Sequence, residues 1–283
     1  MSKIAVVTDS TADLPKELYK ENNIKVVPLH VHFGNDVYKE GIDLSSEQFY
    51  NKLRSAKTMP RTSQPAPYEF EAVYKKLIDK SDSIVSIHLS SKLSGTYQSA
   101  SIAAKAVDPK NIHVIDSNFV SAGTGLLALE AVRLSNQNIP ARDIVNKLES
   151  LKTKLKLFFT VDTFDYMVKN GRIGKATAFL GTLLSIRPIM AIADGIVEPI
   201  EKLRGSRERA LKRLAEVAAE AMPKGANLRG AIVHAVEPER GEILKQTLEG
   251  LLPFESLITC SLGAVIGSHG GPGTLGIIVY PIN

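Results

Sequence analysis

The chain contains a single cysteine, Cys260, and no tryptophan among its 283 residues. One cysteine excludes an internal disulfide, and a chain of this length buries an adequate core without one. Long hydrophobic runs are also missing, because the longest apolar stretch, residues 176–186, is far shorter than the roughly 20 residues that span a bilayer. No charged leader with an apolar core precedes the first strand-like segment. We therefore predict a cytoplasmic protein without membrane insertion.

Common catalytic and cofactor motifs are absent as well. The sequence has no Gly-x4-Gly-Lys-Ser/Thr phosphate loop and no Gly-x-Ser-x-Gly nucleophile elbow. Its six histidines do not pair with cysteines or carboxylates at metal-ligand spacing, and the two on one strand face, His30 and His32, have no evident third ligand. We therefore expect no metal, no cofactor and no catalytic residue.

The net charge of +5 comes from 35 basic residues that are dispersed among 30 acidic ones and that rarely alternate with aromatic residues. This distribution is not typical of a nucleic-acid-binding protein. One densely basic segment contains Lys202, Arg204, Arg207, Arg209, Lys212 and Arg213. It is typical of a solvated helix face, and a docking surface for a partner is the alternative interpretation.

The first half of the chain alternates strand-like and helix-like segments. The strand-like runs occupy residues 4–9, 24–33, 84–89 and 112–115. Asp13 and Ser121 are in positions typical of helix N-caps. Alternation of this kind predicts a parallel sheet with right-handed helical crossovers.

The second half changes character. Asp194-Gly195 separates two apolar runs and predicts a β-hairpin over residues 189–203, because this dipeptide suits the positive φ angles of a tight turn. Helical patterns lie near residues 162–170, from 175 onward, 205–220 and 238–249, and strand patterns near 158–161, 230–235, 254–262 and 274–280. We predict an α/β protein with two domains: an N-terminal parallel-sheet α/β sandwich, residues 1–158, and a C-terminal α+β domain with a largely antiparallel sheet, residues 159–283.

Small oxygen-bearing residues follow three of the N-terminal strands. They are Asp9-Ser10-Thr11, Ser90-Ser91 and Asp116-Ser117. Because ligands of open α/β sheets bind beyond the carboxyl ends of the strands, we expect a site at this edge. Ser94 and Thr62 each occur in a sequence typical of a helix N-cap, which places a hydroxyl at the positive end of a helix dipole. Two such hydroxyls favour a carboxylate or phosphate ligand.

Two glycine-rich patterns partly match dinucleotide-binding motifs. Gly271-Pro272-Gly273 precedes a strand rather than a helix, and Gly123-Thr124-Gly125 opens a helix at a distance from its strand. Close helix packing is the better interpretation of the second pattern. His269 lies beside the first, where glycines let a ligand approach the backbone, so this titratable ring can serve either a functional or a structural role.

Five segments in order resemble the DegV family. They are Thr8-Asp9-Ser10-Thr11-Ala12-Asp13-Leu14, Thr62-Ser63-Gln64-Pro65, Ser90-Ser91-Lys92-Leu93-Ser94-Gly95-Thr96-Tyr97, Gly171-Arg172-Ile173-Gly174-Lys175 and His269-Gly270-Gly271-Pro272-Gly273. The resemblance implies a two-domain lipid-binding protein that is not itself an enzyme and that holds a long-chain fatty acid, such as palmitate, in a tunnel between its domains. Where the partner exists, such proteins resemble the binding subunit of fatty acid kinase, which presents the acyl carboxylate to a separate ATP-using subunit.

The resemblance also implies roles for individual residues. Thr62 and Ser94 match the hydroxyls that contact the carboxylate, and Ser63, Gly95 and His269 match residues near that head group. Arg172 matches an exposed arginine that docks the kinase subunit.

The family frequently has a second glycine before Gly171, where this chain has Asn170. The apolar stretch 176–186 can either line the acyl tail or belong to the ordinary core. Two alternatives to lipid binding stay open: an enzyme, a kinase or hydrolase, acting on a small anionic substrate in the same crevice, and an interaction protein that uses the basic segment 204–213. The sequence does not specify the preferred acyl chain or the oligomeric state.

Overall fold

The structure is a computed structural model that describes residues 3–180 and 186–282. The strands in these two ranges are β1 (Ile4–Asp9), β2 (Lys25–Val27), β3 (His30–Phe33), β4 (Asp36–Lys39), β5 (Arg61–Ser63), β6 (Ser83–His88), β7 (Ile112–Asp116), β8 (Lys156–Thr160), β9 (Ile186–Ala193), β10 (Ile196–Arg204), β11 (Leu228–His234), β12 (Phe254–Ser261) and β13 (Leu275–Pro281). The α-helices are α1 (Lys16–Glu21), α2 (Ser46–Ser55), α3 (Pro67–Ile78), α4 (Thr96–Val107), α5 (Ala122–Asn136), α6 (Ala141–Lys154), α7 (Asp165–Lys169), α8 (Arg207–Glu220), α9 (Pro238–Glu249) and α10 (Ala264–Gly270).

The first sheet has four parallel strands in the order β2-β1-β6-β7. Helices α3 and α4 pack on one face, where Phe70, Tyr74 and Ile84 belong to one buried cluster. This arrangement confirms the predicted parallel α/β sheet. Aromatic and β-branched side chains fill the space between helices and sheet, which explains why these short strands are stable.

The second sheet has six strands in the order β10-β9-β8-β13-β11-β12. Neighbouring strands are antiparallel except β11 and β12, so the prediction of a largely antiparallel sheet is confirmed. The β9–β10 hairpin turns at Asp194 and Gly195, whose φ angles are 48° and 78°, as the Asp-Gly signal predicted. The domain boundary after residue 158 stays a prediction, and it falls within β8.

A third sheet, in the order β4-β3-β5, corrects the single strand predicted over residues 24–33. That segment forms two strands in different sheets, and Pro28, which has no backbone N–H to donate, lies between them. Thr62 and Ser63 lie on β5 instead of capping a helix, and Ala66 is the N-cap residue of α3.

Helix α5 packs against both large sheets. It contacts β1, β6 and β11, and it is buried on nearly every side. A Cβ atom built on Gly125 would lie 2.6 Å from the Ala12 carbonyl oxygen, so only glycine allows this approach. The packing interpretation of the Gly123-Thr124-Gly125 pattern is therefore confirmed.

Two helix predictions need correction. The helix predicted from Lys175 is a short 3₁₀ helix, Gly174–Phe179. Leu183 and Leu184 belong to the apolar stretch 176–186, which was a candidate for lining the acyl tail, and they lie outside the described residues. Asp13 does not cap α1, whose N-cap residue is Pro15. Among the described residues, no helix is long and apolar enough to cross a membrane.

Candidate functional site

A cavity lies against the six-stranded sheet. Strands β8, β9, β10, β11 and β13 form one wall, and α10 together with the loops after β6 and β7 forms the other. The side chains that line it are mostly apolar and include Leu89, Phe159, Ile192, Val233, Ile266 and Ile278. Ligand pockets in proteins are typically concave and mostly apolar with a few polar groups, so this cavity is a candidate ligand site.

One part of the lining is polar. This polar patch consists of Thr62, Ser63, Gln64, Ser94, Arg172 and His269. A Cβ atom built on Gly95 would lie within 3 Å of the Gln64 side chain, which places the Ser94 loop against β5. The structure thus brings together the residues that the sequence singled out, from segments up to 207 positions apart. Gly95 lies behind the lining and provides the space that Gln64 occupies.

Thr62 and His269 are joined by a hydrogen bond of 2.9 Å between Thr62 Oγ1 and His269 Nε2. The other ring nitrogen, Nδ1, is buried and has no hydrogen-bond partner among the described residues. Burial, with a smaller contribution from the Arg172 guanidinium, lowers the pKa of His269 to about 4. The ring is therefore neutral at pH 7 and can donate one hydrogen bond.

Ser94 lies just before α4, although Gly95 occupies the N-cap position and makes no side-chain cap. The Ser94 hydroxyl is 2.9 Å from Thr96 Oγ1 and accepts a long hydrogen bond, 3.4 Å, from the Thr96 N–H. Ser94 is therefore not the N-cap residue that the sequence predicted. Its hydroxyl still lies at the N-terminal end of a 12-residue helix, where the helix dipole favours negative charge.

Ser63 lines the cavity, and its hydroxyl is 2.8 Å from His32 Nε2 on the neighbouring strand. Arg172 is exposed and also lines the cavity, where it donates to the carbonyl oxygens of Asn170 (2.6 Å) and Leu93 (3.4 Å). Gly171 has a φ of +67° at the end of α7, as its C′ position requires. Asn170 has a φ of −94°, so the second glycine of the family is not needed here.

The oxygen-bearing residues after the strands have structural roles, and Asp9, Ser90 and Asp116 are not among the residues that line the cavity. Ser90 donates to the Gly195 carbonyl at the tip of the β9–β10 hairpin, 2.7 Å away. Asp116 accepts hydrogen bonds from the backbone of Ser91 and the residues after β7. The cavity does lie at the predicted edge, beside the loops after β6 and β7, but these three residues fix loops against one another and do not line it.

Asp9, His88 and Ser86 form an acid–imidazole–hydroxyl chain. His88 Nδ1 is 3.0 Å from Asp9 Oδ2, and His88 Nε2 is 2.7 Å from Ser86 Oγ. All three side chains are 0% exposed, and none lines the cavity. This geometry resembles that of a hydrolase triad, but no substrate can reach the serine.

Three polar residues of the cavity lining were missed by sequence reasoning. Gln64 lies in a predicted motif but was not singled out, and Ser121 was considered only as a helix cap. Ser121 is the N-cap residue of α5, as predicted, but its hydroxyl makes no capping bond and donates to Asp13 Oδ2. Thr274 lies within the glycine-rich pattern that starts at Gly271, but it was not singled out as a site residue.

Two further observations concern metals and the basic segment. Among the residues in the described ranges, no group of three or more His, Cys, Asp or Glu side chains could hold a metal ion. In the basic segment, Arg207 is paired with Asp162, and Arg213 with Glu201 and Glu220, whereas Arg204 and Arg209 are exposed. The segment is not one helix face as predicted, because Lys202 and Arg204 lie at the end of β10 and the other four residues lie on α8.

Comparison with known proteins identifies the family. The model of the family described as "Uncharacterised protein, DegV family" matches residues 3–282. The chain belongs to the DegV family. Protein DegV of Bacillus subtilis is 37% identical over 275 residues, which cover 97% of this chain and 98% of that protein.

Solved structures of similar proteins share the whole fold. A DegV family protein from Thermus thermophilus, described by its fatty acid binding, is 34% identical with a TM-score of 0.94, and the match covers 99% of this chain and 100% of that one. A protein from Eubacterium ventriosum described as stearic-acid-binding is 28% identical, with a TM-score of 0.90 over 99% of this chain and 98% of the other.

Proposed function

We propose that this DegV protein binds one long-chain fatty acid, such as palmitate, with its acyl chain in the cavity and its carboxylate at the polar patch. The observation that carries the proposal is the contrast within one cavity between a long apolar lining and a single group of converging hydroxyl and imidazole side chains. The solved relatives described as fatty-acid-binding, which share this fold over nearly the whole chain, support it.

The acyl chain supplies most of the affinity. A sixteen-carbon tail buries about fourteen methylenes at roughly 0.8 kcal/mol each, a gross gain on the order of 11 kcal/mol before ordering costs. The head group then needs only enough hydrogen bonds to offset its desolvation. The hydroxyls of Thr62 and Ser94, the neutral His269 ring and the N-terminal N–H groups of α4 can provide them.

The polar patch suits presentation of the carboxylate to another protein. Its members are hydroxyls, an amide and a neutral imidazole, with Arg172 at the exposed side. Hydroxyls can rearrange during a reaction, whereas an acid held in a buried salt bridge is a poorer phosphoryl acceptor. The protein therefore acts as a binding subunit, and a separate ATP-using kinase subunit docks at Arg172 and forms the acyl phosphate.

The first test is mass spectrometry of the protein purified without added lipid, in the native state and after solvent extraction. One fatty acid per chain is the expected result, and the extracted species gives the preferred chain length. A protein that carries no lipid and takes up none of the fatty acids offered to it would contradict the proposal.

Head-group variants test the placement of the carboxylate. Thr62→Val and Ser94→Ala each remove one hydroxyl from the polar patch, so we expect palmitate binding to weaken by about 1–3 kcal/mol in titration calorimetry. Ser91→Ala, an exposed position in the same loop as Ser94, and Thr247→Val, on the exposed side of α9, are the matched controls. Unchanged affinity in both head-group variants would show that the carboxylate lies elsewhere.

A further inference from the structure

A buried pair of carboxylates, Asp13 and Glu40, lies behind the wall of the cavity. Each is 7% exposed. A Cβ atom built on Gly263 would lie 2.5 Å from Asp13 Oδ1 and 2.6 Å from Glu40 Oε1, so these two oxygens lie within about 5 Å of one another. Two carboxylates this close in a buried site do not readily ionise together.

Both carboxylates hold the backbone at the start of α10. Asp13 Oδ1 accepts a hydrogen bond of 3.0 Å from the Gly263 N–H, and Glu40 Oε1 accepts one of 2.7 Å from the Val265 N–H. Asp13 follows β1 and Glu40 follows β4, so two separate segments fix one short helix. That helix carries His269, one turn after Val265, into the polar patch.

Asp13 also binds a residue in the opposite wall of the cavity. Ser121, which lines the cavity, donates its hydroxyl to Asp13 Oδ2 at 2.6 Å. The φ angles of Asp13 and Ser121 are 50° and 53°, a left-handed region that residues with a side chain rarely adopt. Such strained residues persist where their surroundings hold them, and they concentrate at ligand sites.

The pair has an unsatisfied atom, because Glu40 Oε2 is buried without a hydrogen-bond partner in residues 3–180 and 186–282. Burial and the charge of Glu40 raise the pKa of Asp13, and burial raises the pKa of Glu40 to about 7. The ionisable groups that face the pair are Asp9 on β1, Tyr19 on α1, Tyr50 on α2 and Cys260 on β12. None of these four side chains carries a positive charge, so a proton is what relieves the repulsion.

We propose that Asp13 and Glu40 are positioning residues for the head-group site: they share one proton and hold α10 so that His269 faces Thr62. This proposal rests on the proposed fatty-acid binding. Loss of the shared proton as the pH rises above about 7 places two charges side by side, which loosens α10 and separates His269 from Thr62. Burial raises the pKa of Tyr19, Tyr50 and Cys260, so these groups stay neutral over the same range.

The test compares delipidated wild type, E40A, E40Q and the exposed control Glu47→Ala. Palmitate affinity is measured at pH 6, 7, 8 and 9 by displacement of a fluorescent fatty acid, below the melting temperature of each variant. We expect E40A to bind roughly tenfold more weakly than wild type at pH 7, and E40Q, whose amide copies the protonated carboxyl, within about twofold. Wild-type affinity should fall severalfold from pH 7 to 9, whereas that of E40Q stays flat.

A second measurement does not depend on lipid. ¹⁵N NMR of the His269 ring reports its hydrogen bond to Thr62, and we expect the Nε2 shift to move in E40A and not in E40Q. The proposal is wrong if both variants bind alike, or if wild type and E40Q have the same pH profile. If E40A does not fold, the comparison of wild type with E40Q decides. If the wild type binds no fatty acid but the His269 ring signal still changes in E40A, the proposed function is wrong and the positioning role of the carboxylate pair stands.

Discussion

Replacing His269 with glutamine removes a buried ionisable group and keeps a hydrogen-bonding side chain beside Thr62. Burial, with a contribution from Arg172, lowers the pKa of His269 from 6.5 to about 4. Between these two pH values the folded protein binds fewer protons than the unfolded chain. The free energy of unfolding therefore falls as the pH drops from about 6.5 to 4, and the His269→Gln variant lacks this loss.

The size of the effect follows from the two pKa values. A pKa difference of one corresponds to about 1.4 kcal/mol, so the wild type should lose about 3 kcal/mol more than the variant between pH 7 and pH 4. Above pH 7 the ring is neutral in both states and contributes no pH dependence. Glu40, whose raised pKa has the opposite effect on stability, is present in both proteins and cancels in the comparison.

Urea unfolding of delipidated protein at pH 7, 6, 5 and 4, followed by circular dichroism, measures this difference. A second variant, His269→Asn, controls for the fit of glutamine, because both substitutions should remove the same pH dependence. The reasoning would be refuted if the free energies of unfolding of wild type and variant differed by the same amount at pH 7 and at pH 4. It would mean that the ring is solvated in the folded protein and that the polar patch is more open than the structure shows.

Three other outcomes are expected. Arg172→Ala should reduce acyl phosphate formation with a kinase subunit far more than it weakens palmitate binding, because Arg172 lies at the exposed side of the polar patch; a loss of palmitate affinity as large as that of Thr62→Val would instead make Arg172 a main contact of the carboxylate. In a series of saturated fatty acids, each added methylene should tighten binding about fourfold until the cavity is full, as titration calorimetry would show, and a flat series would exclude an enclosed tail. Gly125→Ala should lower the free energy of unfolding by about 1–3 kcal/mol, because the new methyl group meets the Ala12 carbonyl oxygen, and an unchanged urea midpoint would contradict that packing.

Local chemistry made some features predictable from sequence. Asp194-Gly195 adopts the turn that its φ preferences specify, and Gly171 ends α7 in the left-handed conformation. The β-branched residues of β1 and β6 were sufficient to predict that these two segments form strands. In each case the determining interactions lie within a few residues along the chain, so the sequence pattern carries the information.

Features that depend on distant partners were not predictable. β5 has three residues, too few to show a strand period, and it exists because it pairs with β3. Thr62 and Ser94 line one cavity, but neither is the helix N-cap residue that the sequence predicted. No local pattern distinguishes the pairing of Asp13 with Glu40 from an ordinary cap and an ordinary surface glutamate.

The position of the cavity follows from the hydrogen bonds that the hydroxyl-rich loops make within the protein. At the carboxyl end of a parallel sheet, free N–H groups and hydroxyls usually attract a polar ligand. Here Ser90 binds the Gly195 carbonyl of the β9–β10 hairpin, so part of the second sheet occupies this edge. The remaining space is bounded by Ile192 and Val197 of that hairpin and by apolar residues of α10. A polar edge that is already satisfied by protein leaves an apolar gap between the sheets, and a long acyl chain fits such a gap better than a small anion does.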